Sequence, residues 1–332
     1  NATITITGDA VIKEAIGGKF AAGIGSSLQG KVSVIIEGNS TIGKATGGAY
    51  AAGIGGGRQG IGDVTIKDNA QINESVGGNG GAGIGSGVYG DVTVNIEGNA
   101  TVDKATGGEE GAGIGGGALG TGDVTIEGNV TIENAQGGAG AAGIGGGSNA
   151  KTKDDGTGNR IVIRSNKDGS PTINATGGVP EVDDDGNAIS AGGAAIGSGA
   201  SLPDKNGNIA PEADADITIE GKVTIDAKAG ERNAAIGANN TEQTFNGLQV
   251  GTTITRRNAK GDDVSQPGDV VREPEKPEPE KPEPEKPAQP TVTPTETEGA
   301  EAPSTGSVEV ERPVTVEGLY VTNVLGKQIT HT

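Results

Sequence analysis

The sequence has 332 residues, of which 64 are glycine and five are aromatic, and its formal net charge at pH 7 is −19. Such a small number of large side chains cannot fill a thick core. Any interior must therefore be thin and built from Ile, Val and Ala. The acidic balance, without a basic patch, argues against nucleic acid and anionic membranes as partners. With no cysteine and one histidine, His331, the repeat region has no thiol chemistry, no Ser-His-Asp site and no multi-histidine metal site.

The chain opens directly in the strand-like segment "NATITITG" and contains no methionine. We therefore interpret it as a piece of a longer protein, joined to further domains of the same polypeptide. Any signal peptide or anchor would then lie outside it. No run of about 18 apolar residues is present, so the sequence predicts no membrane span in this piece.

An internal repeat dominates the first part of the chain. The segment "GAGIGGG" and its near copies recur with a spacing of 30 residues, and looser copies follow at wider spacing. Repetition at a fixed period is typical of solenoids and related architectures, so local motifs are interpreted within the repeat. The glycine-rich segments contain no Gly-Lys-Ser/Thr and are therefore structural rather than phosphate-binding. The repeated isoleucines are Ile24, Ile54, Ile84, Ile114, Ile144, Ile196 and Ile236.

Each 30-residue unit contains three predicted strands. In "GDVTIEGNVTIENAQGG", Val124 and Ile126 flank Thr125, which is the alternation of a strand with one buried face. A turn at Asn129 and a strand containing Ile132 follow, and a Gly-Gly pair leads into Ala-Gly-Ile-Gly. This pattern predicts an all-β fold, a three-sided parallel β-helix (β-solenoid) with about 30 residues per coil. A roll or prism and a disordered chain are the alternatives.

Stacking of coils would complete this fold. One coil cannot bury its apolar row alone, whereas coils stacked about 4.8 Å apart pair every strand with its copies above and below. The isoleucines then form ladders inside, and the turn asparagines are expected to form a ladder of side-chain amides. Glycine is expected at corners that need positive φ, and on a narrow side where two walls approach too closely for a side chain.

Composition divides the chain into three domains. Residues 1–258 form the predicted parallel β-helix, with regular coils at 1–150 and irregular coils at 151–258, where polar insertions stretch the spacing to 52 and 40 residues. Residues 245–257 are expected to supply a last strand or a cap. Residues 259–313, rich in Pro, Glu and Lys, predict a disordered linker with extended conformations. Residues 314–332 predict a strand or hairpin that begins a further domain.

Two acidic turns in the insertions are candidate metal sites. "DDDGN" supplies Asp183 and Asp185, and "DKNGN" supplies Asp204, Asn206 and Asn208. Oxygen ligands at alternate positions are typical of calcium loops, so calcium is the candidate cofactor. Neither run combines the glycine and the distal glutamate of an EF-hand loop. An Asx-rich hairpin turn without an ion is therefore the alternative.

Three aromatic residues are candidate sugar contacts. Phe20 and Tyr50 share one register position ahead of the Ala-Gly-Ile segment, and Tyr89 lies one loop away. Adjacent coils would bring Phe20 and Tyr50 to about 5 Å from each other, where the rings can form a patch for a sugar. The alternative is that these rings only fill or cover the edge of the coils.

The acidic rows argue against an enzyme. Glu37, Glu97 and Glu127 share one register position. A repeated position is typical of a solvated row, whereas a catalytic site is unique and breaks the repeat. No pair of aspartates flanked by Arg or Lys on one strand face is present. We therefore expect no enzymatic activity, with a polysaccharide-degrading β-helix as an alternative.

The unit "GDVTIEGNxTVxxATGGxxGAGIGGG" and the Glu-Pro-Lys spacer resemble glycine-rich repeats of large extracellular surface proteins of Gram-positive gut bacteria, often clostridial. The resemblance covers residues 1–250 for the repeats and 266–313 for the spacer. It implies adhesin-like proteins with carbohydrate-binding or unassigned modules. It concerns architecture more than activity, and it implies no particular catalytic or binding residues.

Taken together, these patterns predict a secreted, non-enzymatic protein of the bacterial cell surface or cell wall. Its β-solenoid would be a rigid stalk or adhesin that presents a surface for attachment. Its expected partners are glycans, mucin, and surface proteins of the host or of bacteria. The alternative is a carbohydrate-binding β-helix whose site lies in the insertions between Ala150 and Asp216.

Overall fold

The computed structural model describes residues 2–150, 159–201, 215–238, 240–273, 321–322 and 328–329. The chain divides into two units, Asn1–Glu275 and Lys276–Thr332. The predicted all-β fold is confirmed, because every regular element in the described ranges is a strand. That part of the chain accordingly has no helix of the length and apolarity that crossing a membrane requires.

The alternating Val and Ile pairs form the first side of the solenoid, which we call the long sheet. Its eight strands pair in parallel from coil to coil, and in the regular coils each residue pairs with the one 30 positions further on, as Ile6 does with Ile36. The predicted parallel β-solenoid is thus confirmed. The strands of the long sheet are Ala2–Ile6, Lys31–Ile36, Ile61–Ile66, Asp91–Gly98, Thr121–Gly128, Asn159–Arg164, Ala215–Gly221 and Gly247–Leu248.

The second side, the split sheet, has two strands per coil at first. The single strand predicted here is divided in the first four coils, because the chain bends at the two residues between its halves, such as Gly43 and Lys44. The strand is continuous from the fifth coil onward. The strands are Val11–Ile12, Ala15–Ile16, Thr41–Ile42, Ala45–Thr46, Gln71–Ile72, Ser75–Val76, Thr101–Val102, Ala105–Thr106, Thr131–Gln136, Thr172–Thr176, Thr224–Lys228 and Thr253–Arg257.

The Gly-Ile-Gly segments form the third and shortest side, the glycine sheet. Seven strands pair in parallel, and an eighth closes the sheet by pairing antiparallel with the seventh. The strands are Ile24–Gly25, Ile54–Gly55, Ile84–Gly85, Ile114–Gly115, Ile144–Gly145, Ile196–Gly197, Ile236–Ala238 and the closing Thr241–Glu242.

A thin core of stacked aliphatic residues lies between the three sheets. Ile66, Ile72 and Ile84, one from each side of the same coil, have no exposed surface. Their copies in neighbouring coils are also buried, so the expected isoleucine ladders are confirmed. Repeated burial of the same apolar positions is the main stabilising contribution to the stack.

The turn asparagines form the expected amide ladder on the outside of the coils. The side-chain Nδ2 of Asn39 donates to Asp9 Oδ1 at 2.9 Å. Asn69 donates to Asn39 at 3.0 Å, Asn99 to Asn69 at 3.1 Å, and Asn129 to Asn99 at 3.2 Å. Every donor therefore points to the preceding coil, and Asp9, which can only accept as a carboxylate, begins the ladder.

The insertions leave the register of the strands intact. Val124 pairs with Ile161 across a spacing of 37 residues, and Ile144 pairs with Ile196 across 52. One of the insertions forms a hairpin at residues 179–190, in which Val182 bridges to Ala188. The residues of this hairpin thus leave the coil at a turn and return to it.

A cap closes the C-terminal end of the stack, and it is larger than predicted. Residues 259–273 belong to the first unit, with antiparallel bridges from Val270 to Thr253 and from Asp263 to Arg257. The prediction that the linker begins at residue 259 is therefore wrong for residues 259–273. The physical reason is the buried Arg256, whose guanidinium pairs with Asp269 in that segment. The rest of the predicted linker lies outside the described residues.

The second unit contains a small hairpin. Val321–Thr322 pairs antiparallel with Gln328–Ile329. Both strands fall within residues 314–332, for which a strand or hairpin was predicted.

Candidate functional site

Two tight turns flank each strand of the glycine sheet, and the first of them carries a row of positions with left-handed backbone that we call the corner row. Its members are Phe20, Tyr50, Gly80, Glu110 and Gly140, with φ of 67°, 65°, 72°, 64° and 67°. Glycine adopts this left-handed backbone freely, whereas an L-residue there costs roughly 1–2 kcal/mol. The aromatic and acidic members of the row therefore occupy positions at which glycine is the more stable choice.

Phe20 and Tyr50 form a stacked pair at the corner of the first two coils. Their ring centroids lie 5.9 Å apart with an interplanar angle of 26°, so the predicted approach of the two rings is confirmed. Tyr50 keeps 40% of its surface exposed. The rings therefore face solvent instead of filling the core.

Two cations complete this cluster, which we call the aromatic corner: Phe20, Tyr50, Lys19 and Arg58. The guanidinium carbon of Arg58 lies 5.6 Å from the ring centre of Phe20 and 5.7 Å from that of Tyr50. Lys19 Nζ lies 5.0 Å from the Phe20 ring centre. The turn backbone positions Arg58, because its N–H donates to the carbonyl oxygen of Phe20 at 3.1 Å.

Tyr89, the third predicted sugar contact, lies on the second turn and not in the aromatic corner. It shares a row of left-handed turn residues with Gln59 and Leu119 and is 48% exposed. Among the ring pairs of the described residues, only Phe20 and Tyr50 stack. The structure thus brings two of the three predicted aromatic residues together.

Two of the three glutamates in the predicted row, Glu37 and Glu127, form ion pairs between coils. Lys67 Nζ lies 3.0 Å from Glu37 Oε2, and Arg164 Nη2 lies 2.6 Å from Glu127 Oε2. The split sheet repeats this pattern, with Lys44 2.9 Å from Glu74. Exposed pairs of this kind each contribute about 0–1 kcal/mol. The arrangement fits a solvated charged surface.

The first acidic turn uses its carboxylate to build the hairpin. Asp183 Oδ1 accepts from the backbone N–H of Asp185 at 3.0 Å and of Asn187 at 2.7 Å, and Oδ2 accepts from Asn187 Nδ2 at 3.2 Å. The backbone and side-chain bonds from Asn187 lower the pKa of Asp183. These contacts match the Asx-rich hairpin turn that was the alternative to a calcium loop.

Calcium binding stays a prediction. In the described ranges, no group of three or more His, Cys, Asp or Glu side chains is placed to hold a metal ion. The second predicted turn, with Asp204, Asn206 and Asn208, lies outside those ranges.

The hairpin carries Glu181 back to Glu110 of the corner row. The carboxyl groups of Glu110 and Glu181 lie close enough to interact, and both residues are partly buried. Burial and the neighbouring Glu110 charge raise the pKa of Glu181 to about 7, and burial also raises the pKa of Glu110. The sequence analysis missed this pair because the insertion that carries Glu181 has no counterpart in the regular coils.

A cleft of about 620 Å³ lies on the other side of the same hairpin. Val179, Pro180 and Val182 form one wall, and Thr176 and Lys228 belong to the coils beneath. Neither Glu110 nor Glu181 lines this cleft. It is the concave surface that the alternative of a binding site in the insertions requires.

Comparisons of the chain with protein-family models, with curated proteins and with solved structures found no match. The resemblance to surface proteins of Gram-positive gut bacteria stays an expectation, and the function has to be inferred from the geometry.

Proposed function

We propose that this chain is a non-enzymatic, extracellular β-solenoid of a bacterial cell surface or cell wall, and that it presents a rigid surface for attachment. The observation that carries this proposal is the continuous ladder of the long sheet, which runs in register through eight coils. At about 4.8 Å per coil, such a stack extends roughly 38 Å with every backbone bond of the inner strands satisfied.

Several features support rigidity. The isoleucine rows are fully buried, the amide ladder ties the turns of successive coils, and the C-terminal end is sealed by the buried pair of Arg256 and Asp269. The acidic net charge keeps such a surface soluble without favouring nucleic acid as a partner. The rigid solenoid would then hold further domains of the same polypeptide away from the surface to which it attaches.

The absence of a catalytic role is part of this proposal. Glu37 and Glu127 of the row are paired with cations of neighbouring coils, Lys67 and Arg164. The carboxyl groups of Glu110 and Glu181 do not line the cleft. These arrangements favour structure over general acid-base chemistry.

Carbohydrate binding is the second candidate function, and the aromatic corner favours it. Exposed, preoriented rings such as Tyr50 bind the apolar faces of sugars by stacking, with little loss of side-chain entropy. Host or bacterial glycans and mucin are therefore the partners to test first.

The test is attachment of the full chain to mucin-coated and glycan-coated surfaces, with antibody labelling of intact source cells as a check on location. The double variant Phe20→Ala, Tyr50→Ala is compared with Tyr89→Ala, which removes an exposed tyrosine outside the aromatic corner. Loss of attachment in the double variant alone supports a glycan site at the aromatic corner. Attachment that neither change affects places the contact elsewhere, with the cleft as the next site to alter. No saturable attachment to any surface, or labelling only after cell lysis, overturns the proposal.

A further inference from the structure

The aromatic corner combines ring faces with positive charge in a chain that is otherwise acidic. Arg58 and Lys19 both lie over the Phe20 ring, and neither forms an ion pair within the part of the chain that the structure describes. Lys67, Arg164 and Arg257, by contrast, each pair with a carboxylate of a neighbouring coil. The positive charge of the corner is thus available to an anionic ligand.

Phe20 and Tyr50 also adopt a left-handed backbone conformation that favours glycine. Gly80 and Gly140 hold the same row with the same left-handed φ as Tyr50. Residues kept in unfavourable backbone conformations cluster at binding sites. Tyr50 is 40% exposed, so part of its surface remains accessible to a ligand.

The geometry of Arg58 leaves its hydrogen-bond donors usable. The Arg58 guanidinium makes no hydrogen bond or ion pair to another of the described residues, so its five N–H groups are available to a ligand. The edge of a planar guanidinium can bind a carboxylate through two parallel hydrogen bonds. Gln29 and Gln59 lie at the same turn as Arg58. Their side-chain amides are bonded to each other at 3.2 Å, and the Gln29 backbone N–H donates to the Arg58 carbonyl oxygen at 2.9 Å.

We propose that the aromatic corner binds an acidic sugar, with the sugar ring on Tyr50 and its anionic group on the edge of the Arg58 guanidinium. This inference rests on the second candidate function, carbohydrate binding, and names its ligand class. Lys19 adds a second positive charge over the Phe20 ring, and the neighbouring glutamine amides offer partners for hydroxyl groups. Because the net charge of the whole chain is −19, long polyanions are repelled and short acidic oligosaccharides are favoured.

The experiment measures binding of the full chain to matched pairs of sugars by calorimetry. The pairs are sialyllactose with lactose, trigalacturonate with its methyl ester, and a sulfated with an unsulfated chondroitin disaccharide. We expect the acidic member to bind at least about tenfold more tightly at low salt, and the difference to shrink at about 1 M salt, where the Debye length is near 3 Å. The ratio of carboxylated to sulfated probes identifies the anion, and a preference for either supports the inference.

Three variants locate the site. Arg58→Gln should reduce binding of the acidic sugar to the level of its neutral partner, and Tyr50→Gly should remove binding of both while thermal stability is kept or rises. Lys31→Gln removes an exposed positive charge from the long sheet and should change little. Retained thermal stability shows that the Arg58→Gln variant is folded.

The other outcomes distinguish a failure of the acidic-sugar proposal from a failure of carbohydrate binding in general. Equal affinity for acidic and neutral sugars that still depends on Tyr50 overturns the acidic ligand but keeps carbohydrate binding. Acidic binding that survives both Arg58→Gln and Tyr50→Gly overturns the assignment to the aromatic corner. No binding to any of the six sugars overturns both this inference and the second candidate function.

Discussion

The guanidinium of Arg256 makes two hydrogen bonds to the carboxylate of Asp269, from Nε to Oδ2 at 2.8 Å and from Nη2 to Oδ1 at 2.9 Å. Arg256 has no exposed surface, and its Nη1 also donates to Glu242 at 2.7 Å. Glu242 in turn accepts from the backbone N–H groups of Ala235 and Ile236. One buried cation thus joins the closing strand, the last coil and the segment after it.

Asp269→Ala should therefore loosen the C-terminal end of the solenoid. Removing one partner of a buried ion pair costs about 3–5 kcal/mol where the other charge is left uncompensated. Because Arg256 keeps its pair with Glu242, we expect a loss below that range. Because coils contact only their neighbours, the loss should be concentrated at that end. Hydrogen exchange of residues 236–257 should accelerate, while that of residues 31–98 stays unchanged.

The matched control for this change is Asp263→Ala. Asp263 is exposed and accepts a bond from the backbone N–H of Ser265, so its removal should leave the exchange of the last coil nearly unchanged. Equal acceleration in both variants would show that the cap depends on the backbone of the segment and not on the Arg256 pair.

The amide ladder should contribute measurably to the stability of the regular coils. Asn69→Ala removes both the donor to Asn39 and the acceptor for Asn99. With a net contribution of about 0.5–1.5 kcal/mol per hydrogen bond, we expect a loss of about 1–2 kcal/mol. Urea unfolding followed by circular dichroism measures it.

Asn79→Ala is the control for the ladder, because Asn79 is a turn asparagine with a single bond, to Glu109 at 3.1 Å. Its loss should be less than half of that for Asn69→Ala. Similar losses in the two variants would contradict a special contribution of the ladder.

In the row of stacked glycines that begins with Gly18 and includes Gly78, only Gly18 should tolerate substitution by alanine. A Cβ at Gly78 would overlap the carbonyl oxygen of Gly48 in the preceding coil, whereas a Cβ at Gly18 has nothing within 4 Å. Gly78→Ala should therefore lower the unfolding temperature strongly, by more than a typical substitution cost of about 1 kcal/mol. Gly18→Ala should leave it unchanged or slightly raised. Differential scanning calorimetry of the two variants tests this, and equal shifts would contradict close stacking of the coils at this row.

The hairpin that carries Glu181 should dock more firmly in acid. The pKa of Glu181 is raised from 4.5 to about 7 by burial and by Glu110, so the folded state binds a proton at Glu181 more tightly than the unfolded chain does. The stabilisation is fully present below pH 4.5 and is lost as the pH rises through about 7. Exchange of the amides at residues 179–190, corrected for the intrinsic rate, should accelerate over that interval.

Glu181→Gln should abolish this pH dependence, because a neutral amide cannot titrate. Asp184→Asn changes a carboxylate at the exposed tip of the same hairpin and should preserve it. A pH dependence that persists in Glu181→Gln would assign the effect to another group.

Much of the fold was predictable because in a parallel stack the period of the sequence is the period of the structure. Ile54 pairs with Ile84 across 30 residues, and the same spacing brings Asn69 to Asn39. Two register-matched aromatic residues, Phe20 and Tyr50, had to meet for the same reason. The repeat thus determined the all-β class, the coil length, the buried ladders and half of the aromatic corner.

Contacts outside the repeat were decided by the tertiary structure. The return of Glu181 to Glu110, the pairing of Arg256 with Asp269 and the placement of Arg58 over two rings have no copy elsewhere in the chain. Each depends on where an insertion or a turn folds, which is set by left-handed turn backbones and by the burial of a charge that needs a partner. A repeated pattern specifies its neighbours by periodicity alone, whereas a unique contact exists only after the surrounding coils have fixed the position of both partners.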